Sequence, residues 1–366
     1  MVQTNHRLLL MVLICISILG ILTISSASFP VASHQYGQPY HFLIRQVIFN
    51  GMGLLAFWIC RKIKLSFWQQ MAPLILVAAM MGLVLVLIPG VTHAINGSRR
   101  WLSLGPVAIQ VSEAVKLAMI IYVADFLSRR QQTIQCQIYP FLAILVILVV
   151  VSGLLLLEPD FGATLVVMVI CLSGLFLAGA RLLYFGYIFL TAATAAVVLA
   201  FSAPYRLKRL TTFLNPWAHA SDSGYQLTHS LIAFGRGGLL GRGLGGGIEK
   251  YFYLPESHTD FIFSVFAEEF GGIAGIGLMV VYAWVVFQIY NMGQYAKESR
   301  DTFGMLICTG VATWIGMQVV VNFGVCMGVL PTKGLTLPLM SYGGSSLVIL
   351  WAALGLVFRV HDEHHQ

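Results

Sequence analysis

The chain has 366 residues, 58% of them hydrophobic and only 10% charged, with a formal net charge of +7. Together with a mean hydropathy of +0.85, this composition excludes an ordinary soluble globular domain. The positive charge is spread over loop ends, so anionic lipid headgroups, and no nucleic acid, are its natural partners.

A hydrocarbon core of about 30 Å requires about 20 apolar residues per helix. Ten runs meet that need, at residues 8–28, 42–60, 71–89, 107–127, 139–157, 161–179, 182–203, 261–290, 303–326 and 342–359. The runs are continuous rather than alternating, which selects helices over a barrel, the only other structure that satisfies backbone groups in lipid. The expected fold class is therefore an all-α polytopic membrane protein of about ten transmembrane helices, forming one domain over residues 1–366. The first run is read as a span despite the small residues Ser25, Ser26, Ala27 and Ser28, because it exceeds the apolar region of about 7–15 residues usual in a cleaved signal peptide.

Lys and Arg in short loops mark the cytoplasmic side. Arg7, Arg61, Lys62, Lys64, Arg129, Arg130, Arg181, Lys297, Arg300 and Arg359 all fall on one side if the helices alternate, against Arg99, Arg100 and Lys333 on the other. Both termini are then cytoplasmic, and the long 204–260 loop between the seventh and eighth spans is extracytoplasmic. The six cysteines show no zinc or redox spacing.

Within that long loop, Asn215-Pro-Trp217 predicts a turn, since the residue before proline avoids helical backbone. Tyr225 to Phe234 is moderately amphipathic and predicts an interfacial helix. Residues 235–247 are glycine-dense and contain Arg236 and Arg242. Such a segment serves either as a nest of N–H groups and arginine forks around phosphate or simply as a flexible loop whose glycines make turns.

Four carboxylates follow. Glu256 and Asp260 stand at the mouth of the eighth span, with Glu268 and Glu269 about two turns deeper. Charge in hydrocarbon costs roughly 2.5–3.5 kcal/mol for an acid near the centre, and such groups face a cavity, a partner or a reaction path. Asp260 at a helix start has two equal readings, a catalytic acid or an N-cap. No cap explains Glu268, although a basic group on a neighbouring helix would. In the fourth span Glu113 and Lys116 are three residues apart on one side of a helix, which favours a buried ion pair locking helices over direct chemistry. In Glu158-Pro-Asp-Phe-Gly162, Asp160 caps the next helix or the turn binds a cation or sugar hydroxyls.

Longer motifs complete the reading. Asn96-Gly-Ser-Arg-Arg-Trp101, Ser112-Glu-Ala-Val-Lys116, Leu254-Pro-Glu-Ser-His-Thr-Asp-Phe-Ile-Phe263 with Ala267-Glu-Glu269, and the run from Pro331 to Ser346 resemble the SEDS family of peptidoglycan polymerases in order and over nearly the whole chain. The first of these motifs, Gly224-Tyr-Gln-Leu227 and Pro331 to Pro338 are more similar to the cell-division branch than to the elongation branch, with the sporulation branch also open. Asn215, Cys326 and a short segment before the first span depart from the family's usual pattern.

The resemblance implies an inverting glycosyltransferase that joins lipid II units outside the cytoplasmic membrane. It implies Asp260 as the catalytic residue. Arg99, Arg100, Lys116, Glu158, Arg236, Arg242, His258, Lys333 and Ser341 are then candidates for substrate binding, with Glu113, Glu256, Glu268 and Glu269 in supporting roles. A divalent cation, Mg2+ or Mn2+, could share the charge of the leaving pyrophosphate, though the sequence offers no ligand set that demands one. The implied partners are lipid II, membrane lipids, a class B penicillin-binding protein and other division proteins. Two rival classes remain from the residues themselves, a transporter that flips a lipid-linked precursor and a scaffold that recruits a transpeptidase.

Overall fold

The computed structural model describes residues 6–88, 100–104, 107–190, 213, 215–332 and 334–364. Among the described residues the main α-helices are α1 (His6–Tyr36), α2 (His41–Lys62), α3 (Leu65–Leu87), α4 (Val111–Ser128), α5 (Gln131–Cys136), α6 (Tyr139–Leu157), α7 (Phe161–Leu177), α8 (Tyr225–Gly237), α9 (Ile262–Glu298), α10 (Thr302–Cys326) and α11 (Gly344–His364). Residues 182–190 are also helical.

Among the described residues, seven helices are long and apolar enough to cross a membrane: α1, α2, α3, α6, α9, α10 and α11. The chain is thus a mostly helical, multi-pass membrane protein. The other three expected spans differ for identifiable reasons. The fourth becomes α4, whose 18 residues include Glu113, Lys116 and Asp125. The sixth, α7, is apolar but only 17 residues long. The seventh is helical over 182–190, and its remainder lies outside the described residues.

One element corrects the all-helical expectation. Trp101–Leu104 (β1) and Val107–Gln110 (β2) pair antiparallel, with Trp101 opposite Gln110. The fourth helix therefore begins at Val111, and its expected first residues 107–110 belong to a strand. The hairpin is tied down when Gln110 donates its backbone N–H to Ser345 Oγ at 3.0 Å.

α11 packs along α2, α10 along α9, and α4 lies among α3, α7 and α10. Trp314, Trp351 and Tyr282 fill the interior. One chain of buried polar groups links three segments: Ser17 donates to Asn50, Asn50 Nδ2 to the Gln46 carbonyl at 3.0 Å, and Gln46 Nε2 to the Ser341 carbonyl at 3.3 Å.

The longest helix, α9, is broken at Gly271, where φ is 87° and ψ 170°, a conformation that only glycine enters without strain. The break frees the Glu268 and Glu269 carbonyls and the Gly272 and Ile273 N–H groups, and each finds a partner in the glycine-dense segment. Arg242 and Gly243 donate to the two carbonyls at 3.1 and 2.9 Å, while Gly272 and Ile273 donate to the Gly238 and Leu239 carbonyls at 2.9 and 3.2 Å. Those loop glycines are the sequence solution to a close backbone-to-backbone seam.

Candidate active site

The loop before α9 is fastened through three consecutive carbonyls. His258 accepts from the Tyr342 N–H at 3.0 Å, Thr259 from Ser341 Oγ at 2.7 Å, and Asp260 from Asn322 Nδ2 at 2.8 Å. The same Asn322 amide donates to the Leu335 carbonyl at 2.8 Å, and Ser341 Oγ accepts from the Leu337 N–H at 2.7 Å. The 258–260 and 335–342 segments are therefore joined as one unit. A β-carbon on Gly334 would sit 2.7 Å from Asp260 Oδ2, so glycine there lets the two loops meet at the carboxylate.

The carboxylate itself is not tied. α9 starts at Ile262, and neither Phe261 nor Asp260 supplies a side-chain cap, which removes the capping reading of Asp260. Among the described residues none donates a hydrogen bond to either of its oxygens. Burial and the neighbouring Glu256 push its pKa up to about 7, against a lowering pull from Arg100. Desolvation disfavours the charged form of an acid, and a nearby like charge adds to that. Glu256 accepts from Thr259 Oγ1 at 2.7 Å.

Arg100 stands between two acids. It donates to the Glu158 and Pro159 carbonyls, at 3.0 and 2.7 Å, clamping the turn between α6 and α7. Glu158 is 1% exposed, and neither of its oxygens has a partner among the described residues. Burial, then Asp160, raises its pKa to about 8, so it is neutral near pH 7. Asp160 does cap α7, accepting from the Ala163 N–H at 3.0 Å, and also accepts from Ser112 Oγ at 3.0 Å. Gly162 on this turn touches Leu335, which brings the 158–162 turn to the Asp260 unit.

His258 packs its ring against Phe42, with centroids 4.7 Å apart. Its pKa is lowered by burial, and its Nδ1 is buried without a partner among the described residues. Glu113 and Lys116 form the expected ion pair at 2.7 Å, with the lysine fully buried and over the Trp314 ring at 5.1 Å. A cavity of about 10 Å³ separates Glu113 from Thr336, Ser341 and Ser346.

The remaining candidates belong to a second cluster. Glu268 accepts from the Ile248 and Glu249 N–H groups at 2.9 and 3.2 Å. Glu269 pairs with Lys250 at 2.6 Å and accepts from Ser26 at 2.6 Å. Glu249 in turn holds His229 at 2.6 Å and Arg236 at 3.3 Å, and Arg242 Nε donates to the Arg236 carbonyl at 2.9 Å. The N–H groups around the glycine-dense segment thus do meet an anion, and it is the protein's own Glu268. Arg99 and Lys333 lie outside the described residues. No group of three or more His, Cys, Asp or Glu side chains is placed to hold a metal ion among the described residues.

Sequence reasoning missed Asn322, Lys250 and the Glu249–His229 pair. A carboxamide inside the apolar run 303–326 was the visible signal for the first. Lys250 and Glu249 sit in loop sequence with no periodicity to expose them, and His229, on the predicted amphipathic helix, gave no sign of its partner.

Residues 6–366 match the family model FTSW_RODA_SPOVE, described as "Cell cycle protein". The chain belongs to this family. A relative from Coxiella burnetii, named "Probable peptidoglycan glycosyltransferase FtsW", is 47% identical over 345 residues, covering 94% of this chain and 93% of that one. One of the same name from Legionella pneumophila is 46% identical, covering 95% and 88%. Among solved structures, a chain from "Structural coordination of polymerization and crosslinking by a peptidoglycan synthase complex" superposes with a TM-score of 0.81 at 31% identity, covering 98% of each chain. Thermus thermophilus RodA superposes at 0.72 with 29% identity, covering 98% of this chain and 97% of that one. The resemblance to the SEDS family, with similarity to relatives named FtsW, therefore holds over nearly the whole chain, and Asp260, Arg100 and Glu158 lie in a family member's fold.

Proposed function

We propose that this family member is a peptidoglycan glycosyltransferase of the cell-division type, which polymerises lipid II into β-1,4 glycan at the outer face of the bacterial cytoplasmic membrane. The observation that carries the reading is Asp260: its own carbonyl and those of the two residues before it are each fixed by a hydrogen bond, while its carboxylate has no described protein partner and burial pushes its pKa up to about 7. A general base works best with a pKa near the operating pH. The names of the relatives and the peptidoglycan synthase superposition support the same class.

In the reaction, the acceptor 4-hydroxyl oxygen attacks the anomeric carbon of the donor. The hydroxyl proton passes to Asp260, and the bond from that carbon to the pyrophosphate oxygen breaks. Attack opposite the leaving group inverts an α linkage to β. Arg100 faces the charge that develops on the pyrophosphate, the role in which fixed cationic donors contribute most; Arg99 and Lys333, the other candidates for that work, lie outside the described residues. The buried Glu113–Lys116 pair serves as a lock between helices rather than a reacting group. The distribution of Lys and Arg over the short loops supports ten spans with cytoplasmic termini and the 204–260 loop outside; on that reading Asp260 lies on the outer side, where a class B penicillin-binding protein would receive the glycan for cross-linking at the septum.

The test is polymerisation of lipid II by the purified protein with its transpeptidase in detergent, without nucleotide. Detergent offers no second leaflet, so flipping cannot produce glycan. Long glycan strands are expected; absence of polymer from a folded complex that moves lipid II across vesicles would support the transporter instead.

A further inference from the structure

Asn322 stands inside α10, a predominantly apolar helix, with 1% of its surface exposed. A carboxamide buried there needs a reason, because a buried amide without partners is costly. Its Nδ2 is 2.8 Å from the carbonyl oxygens of both Asp260 and Leu335. Both partners are acceptors only, so the amide nitrogen must be the atom that faces them. The two N–H bonds of one side chain thus tie the carbonyl of the proposed base to the loop that passes its carboxylate at Gly334.

We infer that Asn322 is a positioning residue of the glycosyl transfer, setting the location of the Asp260 carboxylate by holding the Asp260 and Leu335 backbones together. The inference rests on the reading of Asp260 as the base. It goes beyond that reading by placing a positioning group in the last turns of a separate helix, α10, away from the motif that carries the acid. Other ties reach the same loop only at its neighbours: Ser341 holds Thr259 and the Tyr342 N–H holds His258. Cys326 Sγ also approaches the Asp260 carbonyl, but at 3.6 Å from a weak donor. Without the Asn322 amide the Asp260 carbonyl loses its strong donor, and the loop is free to swing about the Thr259 anchor. A misplacement of about 1 Å at a reacting group costs on the order of 100-fold in rate. The same loosening admits water around the carboxylate and relieves the burial that raises its pKa.

The experiment compares Asn322→Ala and Asn322→Asp with wild type and with Asp260→Asn, each as the purified complex with its transpeptidase, using lipid II. Asn322→Ala should lose roughly 100-fold in kcat with KM for lipid II little changed. Its rising pH limb should move to lower pH, since the base titrates closer to an ordinary aspartate; a residue needed only for stability would not move that limb. Asn322→Asp removes the donors without changing size, and should lose as much or more in kcat. Wild-type kcat and an unmoved limb in either folded variant would overturn the inference. So would loss of the cooperative melting transition in both, which would make Asn322 a folding residue. Asp260→Asn separates the two readings: if it retains full activity, the base assignment itself fails, whereas an inactive Asp260→Asn beside a fully active Asn322→Ala removes only the positioning role.

Discussion

Two groups of acids lie within fourteen residues of one another, and the protein treats them in opposite ways. Glu268 and Glu269 are engaged from within: the backbone N–H groups of Ile248 and Glu249 donate to the two oxygens of the first, and Lys250 and Ser26 both donate to Oε1 of the second, whose Oε2 has no partner among the described residues. Asp260 has its backbone fixed by Asn322 and its neighbours fixed by Ser341 and Tyr342, while no described residue bonds its carboxylate. The difference separates acids that hold the fold from the acid available for chemistry. A carboxylate engaged by an ion pair or by backbone N–H groups of its own protein stabilises a seam; one held in place with no bond from a described residue has capacity left for a substrate hydroxyl.

The largest effect expected on this contrast is at Asp260. Asp260→Asn keeps the size of the side chain and loses no helix cap, since none is made. Glycan synthesis should fall about 100-fold to 10,000-fold, the usual cost of removing a general base, while melting temperature and assembly with the partner stay unchanged. Glu268→Gln should do the reverse, weakening the folded state and leaving the turnover of the surviving folded protein near wild type. A Glu268→Gln protein that folds normally but is inactive would break the comparison.

Next in size are the buried pairs. Lys250→Ala leaves Glu269 buried and uncompensated, a penalty of roughly 3–5 kcal/mol by analogy with soluble proteins. Replacing both by apolar residues should recover much of the loss. The Glu113–Lys116 pair should behave in the same way, with each single alanine variant lowering folded yield and melting temperature more than the double variant. If Lys116→Ala melts normally and loses turnover, the lysine contacts pyrophosphate instead.

The smallest effect is expected at Arg236, whose side chain is 38% exposed and meets Glu249 at 3.3 Å. Partly exposed pairs contribute about 0–1 kcal/mol, so Arg236→Ala should scarcely move the melting temperature. A large fall in lipid II affinity in this variant would show that the second cluster also holds substrate.

Much of this was legible in the sequence because lipid imposes simple rules. Apolar runs located the membrane helices, and a spacing of three residues located the Glu113–Lys116 pair. The place of Asp160 before an apolar run offered a helix cap as one of two readings, and it does cap α7. What hydropathy could not reach were boundaries and loops. α1 and α9 extend well past their apolar runs, to Tyr36 and Glu298, because packing continues a helix beyond the hydrocarbon. The hairpin at Trp101–Gln110 was hidden by four strand residues apolar enough to pass for the start of a span. The carboxylates at Glu268 and Glu269 called for a basic neighbour, but it came from the loop at Lys250 rather than from another helix, and loop contacts have no period to read. The glycine-dense segment left a phosphate nest and a turn-rich loop equally open; its N–H groups bind the broken helix and Glu268, a pairing visible only once the break at Gly271 is known.

The most direct measurement is the pH dependence of glycan synthesis by the wild-type complex with lipid II, at substrate concentrations well below KM. The base must be ionised to accept the hydroxyl proton, and burial with Glu256 nearby raises its pKa to about 7. Turnover should therefore climb as pH rises, with a midpoint near 7, and the limb should be absent from the residual activity of Asp260→Asn. A flat profile through neutral pH with its midpoint near 4, or a limb near 7 that survives in Asp260→Asn, would contradict the assignment of Asp260 as the base.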